Sequence, residues 1–429
     1  MTAASKVSAI SLPRLLQSLR SPSSQLVTFA LLAAERMVQM AVGMLVIATI
    51  ARAHSLEDFA SWQIAYSMWV VVCAISGITG ERVVLPRMFG AKTQEELQTV
   101  LRTALAAKAV SGAGACVLLL GWAALQGNAE VFALALVWSV HLLLFEPIAM
   151  ATTESYGNDD FVKPQIARLI GLVVRASVVI GLWAVGGSLL WYVTAWILEL
   201  LACALILCRP WLHQPWRFRG PVALADLRDT FVRGAALAAA PAATAALSRV
   251  DRLVFNDEIP VEGLAQYAAA LSLLEALFGF AAILATVAGA KVLYRAAPIR
   301  PLQHLRAVVE AAGIGAAGAA LLAWQAPAIA RLVFGVRFVD TALYLQYAAW
   351  LLPLAFVQWI TQAPLVRHSS SVFHVARSLT GLAVGAAVVA LVVPLGRIEW
   401  ICAGAYAGFA AMIAIDAIGL HRRRDDIYA

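Results

Sequence analysis

Residues 131–153 read VFALALVWSVHLLLFEPIAMATT, an unbroken apolar run in which Glu146 is the only acidic or basic group besides His141. At a rise of about 1.5 Å per residue, a helix of this length crosses a hydrocarbon layer of about 30 Å. The run is therefore read as a membrane span, and the rest of the chain repeats it. Further apolar runs lie near 26–50, 59–80, 103–125, 166–186 and 189–208, then near 231–255, 264–288, 307–330, 342–365, 376–396 and 400–420. The 429 residues are 62% hydrophobic and 13% charged, with a mean hydropathy of +0.81, against about 25% charged residues in soluble domains. These numbers predict an all-α integral membrane protein of about 12 transmembrane helices, with no length left for a soluble catalytic domain.

The first 24 residues are polar and basic, hold seven serines and no acidic residue, and lack an apolar core followed by a cleavage site, so no secretory signal peptide is expected. A short interfacial helix through Leu12, Leu15, Leu16 and Leu19 is expected there instead. Of the 32 lysines and arginines, 23 fall on one side of the spans, four on the other and five inside helices. That bias places both termini in the cytoplasm, and it accounts for the net charge of +7 by short loops facing anionic lipid, with no need of a nucleic acid. Cys73, Cys116, Cys203, Cys208 and Cys402 show no ligand spacing and read as packing residues, so neither disulfides, metal nor cofactor is expected.

An internal duplication runs through the chain at an offset of about 205 residues. Glu57, Phe59, Ala60, Trp62 and Ala65 are echoed by Glu262, Leu264, Ala265, Tyr267 and Ala270. Leu101-Arg102 matches Leu305-Arg306, Pro147-Ile148-Ala149 matches Pro353-Leu354-Ala355, and Ala167-Arg168 matches Ala376-Arg377. Six helices per unit make these two six-helix parallel repeats around a central cavity, with the substrate path between them. The expected organisation is a lead-in at 1–24, an N-terminal half at 25–208, a cytoplasmic linker at 209–230, a C-terminal half at 231–420 and a tail at 421–429.

Charges within spans are the informative exceptions, since each costs at least about 2.5–3.5 kcal/mol at the bilayer centre unless it faces protein, water or a partner. Arg36 lies near the midplane of the first span and must face a cavity or a carboxylate; Glu35 and Gln39 stand one turn apart beside it. Arg249 and Arg252 share a face near the far end of the seventh span, with Asp251 about 100° away. They are either cavity cations or an interfacial pair neutralised locally by Asp251. Arg175, Glu199 and Glu275 read as halves of ion pairs between helices. Glu146 precedes Pro147 and reads as serving kink geometry, while Lys108, Glu310 and Asp416 read as snorkelling or mouth-lining groups. The alanine-rich seventh span carries Pro241 and is expected to kink.

No phosphate-binding loop, dinucleotide fingerprint or zinc helix is present. Three segments do resemble a known family: Ile50-Ala51-Arg52-Ala53-His54-Ser55-Leu56-Glu57-Asp58-Phe59; Val250-Asp251-Arg252-Leu253-Val254 with Gln266-Tyr267-Ala268-Ala269-Ala270; and Arg331-Leu332-Val333-Phe334-Gly335 through Ala342. They are similar to segments of the lipid-linked oligosaccharide flippases of bacterial polysaccharide synthesis (O-antigen and exopolysaccharide), within the multidrug/oligosaccharidyl-lipid/polysaccharide exporter superfamily. The resemblance implies an inner-membrane flippase that moves an undecaprenyl-diphosphate-linked repeat unit by alternating access, working beside a polysaccharide polymerase and other assembly proteins.

An anionic diphosphate in a low-dielectric passage needs fixed positive charge, for which Arg36, Arg249 and Arg252 are the candidates. Glu35, Gln39, Asp251, Glu199, Glu275 and Arg175 are candidate coupling or cavity residues. Two alternatives stand: a cation-coupled multidrug exporter of the same superfamily, led by Glu35, Glu199 or Glu275, and a membrane glycosyltransferase or ligase.

Overall fold

A computed structural model of the chain describes residues 23–77, 81–213, 220–292, 299–396 and 400–428. The expected interfacial helix near Leu12–Leu19 lies outside these residues. The spans, numbered in chain order, are α1 Ser23–Ala53, α2 Leu56–Ser76, α3 Gln94–Leu125, α4 Ala129–Gly157, α5 Val162–Val185 and α6 Leu189–Leu207. They continue as α7 Leu224–Leu247, α8 Val261–Val292, α9 Pro301–Phe334, α10 in two pieces Thr341–Ala348 and Leu351–His368, α11 Ser371–Val392 and α12 Ala403–Arg422. Eleven are straight enough, long enough and apolar enough to cross a membrane, and the bent α7 makes twelve. Among the described residues there is no strand, only a single bridge between Ile299 and Tyr428.

Helix ends are set by polar residues that hydropathy does not register. Ser55 and Asp58 satisfy each other's backbone amides to open α2, and Thr93 and Glu96 do the same for α3. The second box starts α3 about nine residues ahead of its apolar run and draws Gln94–Arg102 into the helix. Gly186, at φ 67°, ends α5 in the left-handed conformation that glycine tolerates. α7 bends by 43° between Leu224–Ala235 and Leu237–Leu247. Pro241 explains the bend, because its ring crowds the carbonyl four residues back, that of Leu237. The seventh span also stops at Leu247, short of 255; Val250–Val254 forms a separate short helix after Arg249 leaves helical geometry at φ −138°.

Helix packing repeats the duplication. α3 lies against α4, α5 against α6, α1 against α5, and α4 against α6; the corresponding contacts in the second set are α9 with α10, α11 with α12, α7 with α11, and α10 with α12. Contacts between the sets obey the same exchange: α1 touches α8 as α7 touches α2, α1 touches α9 as α7 touches α3, and α2 meets α8 on the axis. Two six-helix bundles thus face each other across a pseudo-twofold along the membrane normal. Within the second bundle α11 lies close on α12, where a Cβ on Gly385 would stand 2.9 Å from the Gly404 carbonyl, so only small residues permit the packing. Beside it, Arg377 and Asp416 pair at 3.0 Å and are almost wholly buried. Asp416 is therefore a structural partner rather than a snorkelling or mouth group.

The bundles are tied at the end away from the chain termini. Arg52, in the last turn of α1, donates to the carbonyls of Leu332 and Val333 at the end of α9. Arg337 returns the contact, donating to the Arg52 carbonyl at 2.8 Å. Each arginine places positive charge at the negative end of a helix in the opposite bundle. Phe59 packs edge-on against Phe338 at 5.2 Å, and Asn256 donates to Gln126 at 2.8 Å. Deeper in, Gln63 of α2 donates to Ser272 of α8 at 2.9 Å.

Two outcomes follow. Arg377→Ala alone strands the buried Asp416 and should lower stability by about 3–5 kcal/mol, read as an earlier thermal unfolding in detergent, whereas Arg377→Met with Asp416→Leu restores most of it. Spin labels at Glu57 and Glu258, exposed in opposite bundles at the tied end, should show a longer-distance population when Arg52→Gln and Arg337→Gln are combined.

Candidate functional site

A polar concavity is enclosed chiefly by the N-terminal bundle and reaches α7 of the other. Its volume is about 580 Å³, and its lining includes Glu35, Arg36 and Gln39 of α1, Lys108 of α3, Thr152 and Thr153 of α4, Arg168 of α5, Glu199 of α6, and Leu237 and Pro241 of the bent α7. The lining residues of α3 and α5 belong to the first halves of those helices, those of α4 and α6 to the last halves, and those of α1 lie near its middle, so the cavity sits toward the face that carries the chain termini. Toward the tied end it continues into a second chamber of about 320 Å³, sharing Gln39, Cys73, Phe145, Glu199 and Leu200 with the first.

The charges on this lining are not equivalent. Lys108 is neutralised by Glu146 at 3.0 Å, with both side chains buried, and Glu199 by Arg175 at 2.8 Å. Arg175 also stacks over Trp196, 5.0 Å from the ring centroid. Arg36 donates to Gln39 at 2.8 Å and meets Glu35 only at 3.9 Å, with 54% of its side chain exposed. Arg168 has no ion-pair or hydrogen-bond partner among the described residues and lies within electrostatic reach of Glu199. Glu35 is buried in the wall, and its Oε2 accepts no hydrogen bond. Set against the paired groups, Arg36 and Arg168 give the cavity a net positive face, since Glu35 is its one carboxylate without a close cation.

The three arginines singled out from the sequence do not share this cavity. Arg36 lines it, while Arg249 and Arg252 are buried behind the deep chamber and converge on Glu275 of α8, at 2.5 and 2.8 Å. Asp251 completes the cluster, 3.6 Å from Arg252 and accepting from the Tyr267 hydroxyl at 2.5 Å. Two cations and two carboxylates close on one another because the break after Leu247 turns both arginines toward α8. Tyr66 separates the cluster from the chamber, within electrostatic reach of Arg249, Glu275 and Arg175.

Glu146, read as serving a proline kink, and Lys108, read as snorkelling, are partners. Glu310 pairs on its own helix with Arg306 at 2.6 Å in an exposed position. Arg168 was counted with the loop cations, although it stands seven residues before Arg175, on the same face of α5. That spacing was available in the sequence. The aromatic lining of the deep chamber was not, because Trp62, Tyr66, Trp69 and Trp196 come together only through packing. Among the described residues no cluster of side chains is arranged to hold a metal ion.

Two bundles related by an axis along the membrane normal thus frame a charged cavity. No family model matches the chain, and no curated protein matches it. Solved structures do. An inward-facing multidrug resistance MATE family transporter of the MOP superfamily aligns at a TM-score of 0.70 with 17% identity, over 90% of this chain and 94% of that one. The lipid II flippase MurJ in an inward closed conformation aligns at 0.71 with 11% identity, over 92% and 87%. A MOP superfamily transporter from Pyrococcus furiosus, described as having a binding pocket of reverse polarity, aligns at 0.59 with 15% identity, over 95% and 97%. The chain thus has the twelve-helix, two-repeat fold of MOP-superfamily transporters and flippases, and its similar structures are transporters rather than enzymes.

In a background with the five cysteines replaced, Arg36→Cys and Arg168→Cys should react with a membrane-impermeant methanethiosulfonate reagent. Arg252→Cys should resist it, as read by mass shift of the protein in native membranes.

Proposed function

We propose that this protein is a flippase of the bacterial inner membrane that moves an undecaprenyl-diphosphate-linked oligosaccharide repeat unit to the periplasmic leaflet for polysaccharide biosynthesis. The observation that carries the reading is the pair of cavity arginines without strong carboxylate partners, Arg36 and Arg168. A diphosphate brings concentrated negative charge into a low-dielectric passage, and guanidinium groups bind phosphate oxygens in a bidentate fashion. The sequence resemblance to lipid-linked oligosaccharide flippases and the fold shared with MurJ support a lipid-linked cargo. With both termini cytoplasmic, as the charge bias predicts, the cavity faces the compartment in which such lipids are assembled. Delivery to a polysaccharide polymerase and its assembly partners would follow on the opposite side.

In this reading the tied end opens as the cavity closes, and the Arg52 and Arg337 contacts exchange for contacts at the other end. Glu35 is the cavity carboxylate left without a close cation, because Glu146, Glu199 and Glu275 are each engaged by a cation at 3.0 Å or less. A second reading, export of cationic drugs, draws on the same Glu35 and on the MATE likeness.

In a strain lacking its own copy of this protein, Arg36→Ala and Arg168→Ala are each expected to lower surface polysaccharide about 10–100-fold at undiminished membrane levels. Arg36→Lys and Arg168→Lys should retain part of it. Unchanged polysaccharide in the alanine variants, together with drug sensitivity that follows Glu35→Gln, would favour the exporter.

A further inference from the structure

The deep chamber is built differently from the charged cavity that leads to it. Trp62, Tyr66, Trp69, His141, Phe145 and Trp196 give its wall an aromatic character. The rings brace one another: Trp69 stacks on Trp138 at 4.2 Å, Trp62 stacks on Tyr66 at 5.2 Å, and Trp138 meets Trp196 edge-on at 5.1 Å. Such mutual packing fixes the ring planes before any ligand arrives. Polar groups enter at a few points, from Gln39, the Tyr66 hydroxyl, the His141 ring, whose Nδ1 is buried without a hydrogen bond, and the Arg175–Glu199 pair. At about 320 Å³ the chamber is at the small end of ligand sites.

An aromatic box of this kind suits an organic cation or a ring with C–H faces. The cation is disfavoured here. The cation–π position over Trp196 is already held by Arg175, which Glu199 fixes at 2.8 Å, and any cation arriving from the mouth must first pass Arg36 and Arg168. An anion would meet the negative faces of the indoles and find the only cation of the chamber already paired. A purely apolar ligand would strip water from Gln39, Tyr66 and Glu199 without replacing their hydrogen bonds. A pyranose avoids all three penalties. Its C–H faces complement indole faces, and its rim of hydroxyls both donates and accepts.

The geometry points to the deep chamber as the seat of a sugar ring, stacked on the Trp62, Trp69 and Trp196 wall with its hydroxyls toward Gln39, Tyr66 and the Arg175–Glu199 pair. The inference rests on the flippase reading for its source of sugar: the first residue of the lipid-linked glycan enters the chamber while the diphosphate stays with Arg36 and Arg168 nearer the mouth. It assigns to the chamber the recognition of the sugar, separately from recognition of the diphosphate. Indole stacking tolerates changes in hydroxyl stereochemistry, so the chamber selects for a ring rather than for one particular sugar.

The test uses the full chain in nanodiscs and two probes, undecaprenyl diphosphate and the same lipid carrying one N-acetylhexosamine. The sugar-bearing lipid should bind about tenfold tighter, the order expected of one stacked ring with its hydrogen bonds. Trp69→Leu should bring that ratio close to one and Tyr66→Phe should lower it in part, while Trp69→Phe keeps most of it. Arg36→Ala should weaken both lipids in proportion and leave the ratio intact. Equal affinity of the wild-type protein for the two lipids, or an unchanged ratio in Trp69→Leu, overturns the sugar seat. Failure to bind either lipid overturns the flippase reading instead; the chamber is then judged by titration with methyl N-acetylglucosaminide, where quenching of tryptophan fluorescence that Trp69→Leu abolishes supports it and absence of quenching overturns it.

Discussion

Charge inside hydrocarbon is costly, and the arrangement of this molecule follows from how each charge is matched. Lys108 pairs with Glu146 between α3 and α4, Arg175 with Glu199 between α5 and α6, Arg249 and Arg252 of the break after α7 with Glu275 of α8, and Arg377 with Asp416 between α11 and α12. Three of these four sets join two helices consecutive in the chain, and the other ties the break after α7 to α8. A one-turn slip between such antiparallel neighbours would separate the partners by about 5 Å and strand both charges, so the pairs fix helix register where apolar surfaces alone, equally content with lipid, would leave it loose.

Against that pattern the exceptions acquire meaning. Among the described residues α1 makes no cross-helix ion pair, and its Arg36 reaches a sequence neighbour at 3.9 Å and a glutamine at 2.8 Å. Arg168 stands without a partner among the described residues. Both face the same cavity, and the proposed anionic cargo draws on that pair of charges.

The duplicated bundles have diverged in content while keeping their contacts. In the N-terminal bundle the concavity is cationic at the mouth and aromatic at its depth. In the C-terminal bundle the comparable volume, about 570 Å³ between α8, α9 and α10, is lined almost wholly by apolar residues such as Leu277, Ile314, Leu321, Leu352 and Phe356. Gly315 of α9 would place a Cβ 2.7 Å from the Cα of Pro353, and Gly112 of α3 abuts Glu146 beside Pro147. The scaffold repeats, and the chemistry does not.

Length and hydropathy determined the spans, because a lipid layer imposes a minimum apolar run wherever the chain crosses it; the recurring Pro147 and Pro353 segments determined that there are two bundles. The sequence also marked most of the charges that needed explaining, though not Arg168 or Arg377. It did not reveal which would be paired, since Glu146 and Lys108 are 38 positions apart and a partner on another helix depends on rotation and depth that no local pattern records. Arg168 was legible through its seven-residue spacing from Arg175, yet its position near the end of an apolar run made it look like a loop cation. The tertiary structure alone decided that Arg249 and Arg252 are locked to Glu275, because the break after Leu247 redirects both, and that four aromatic residues from α2 and α6 close around one chamber. Hydrophobic matching to lipid acts on each helix separately and is written in the sequence; pairing of charges and convergence of rings act between helices and exist only once these are packed.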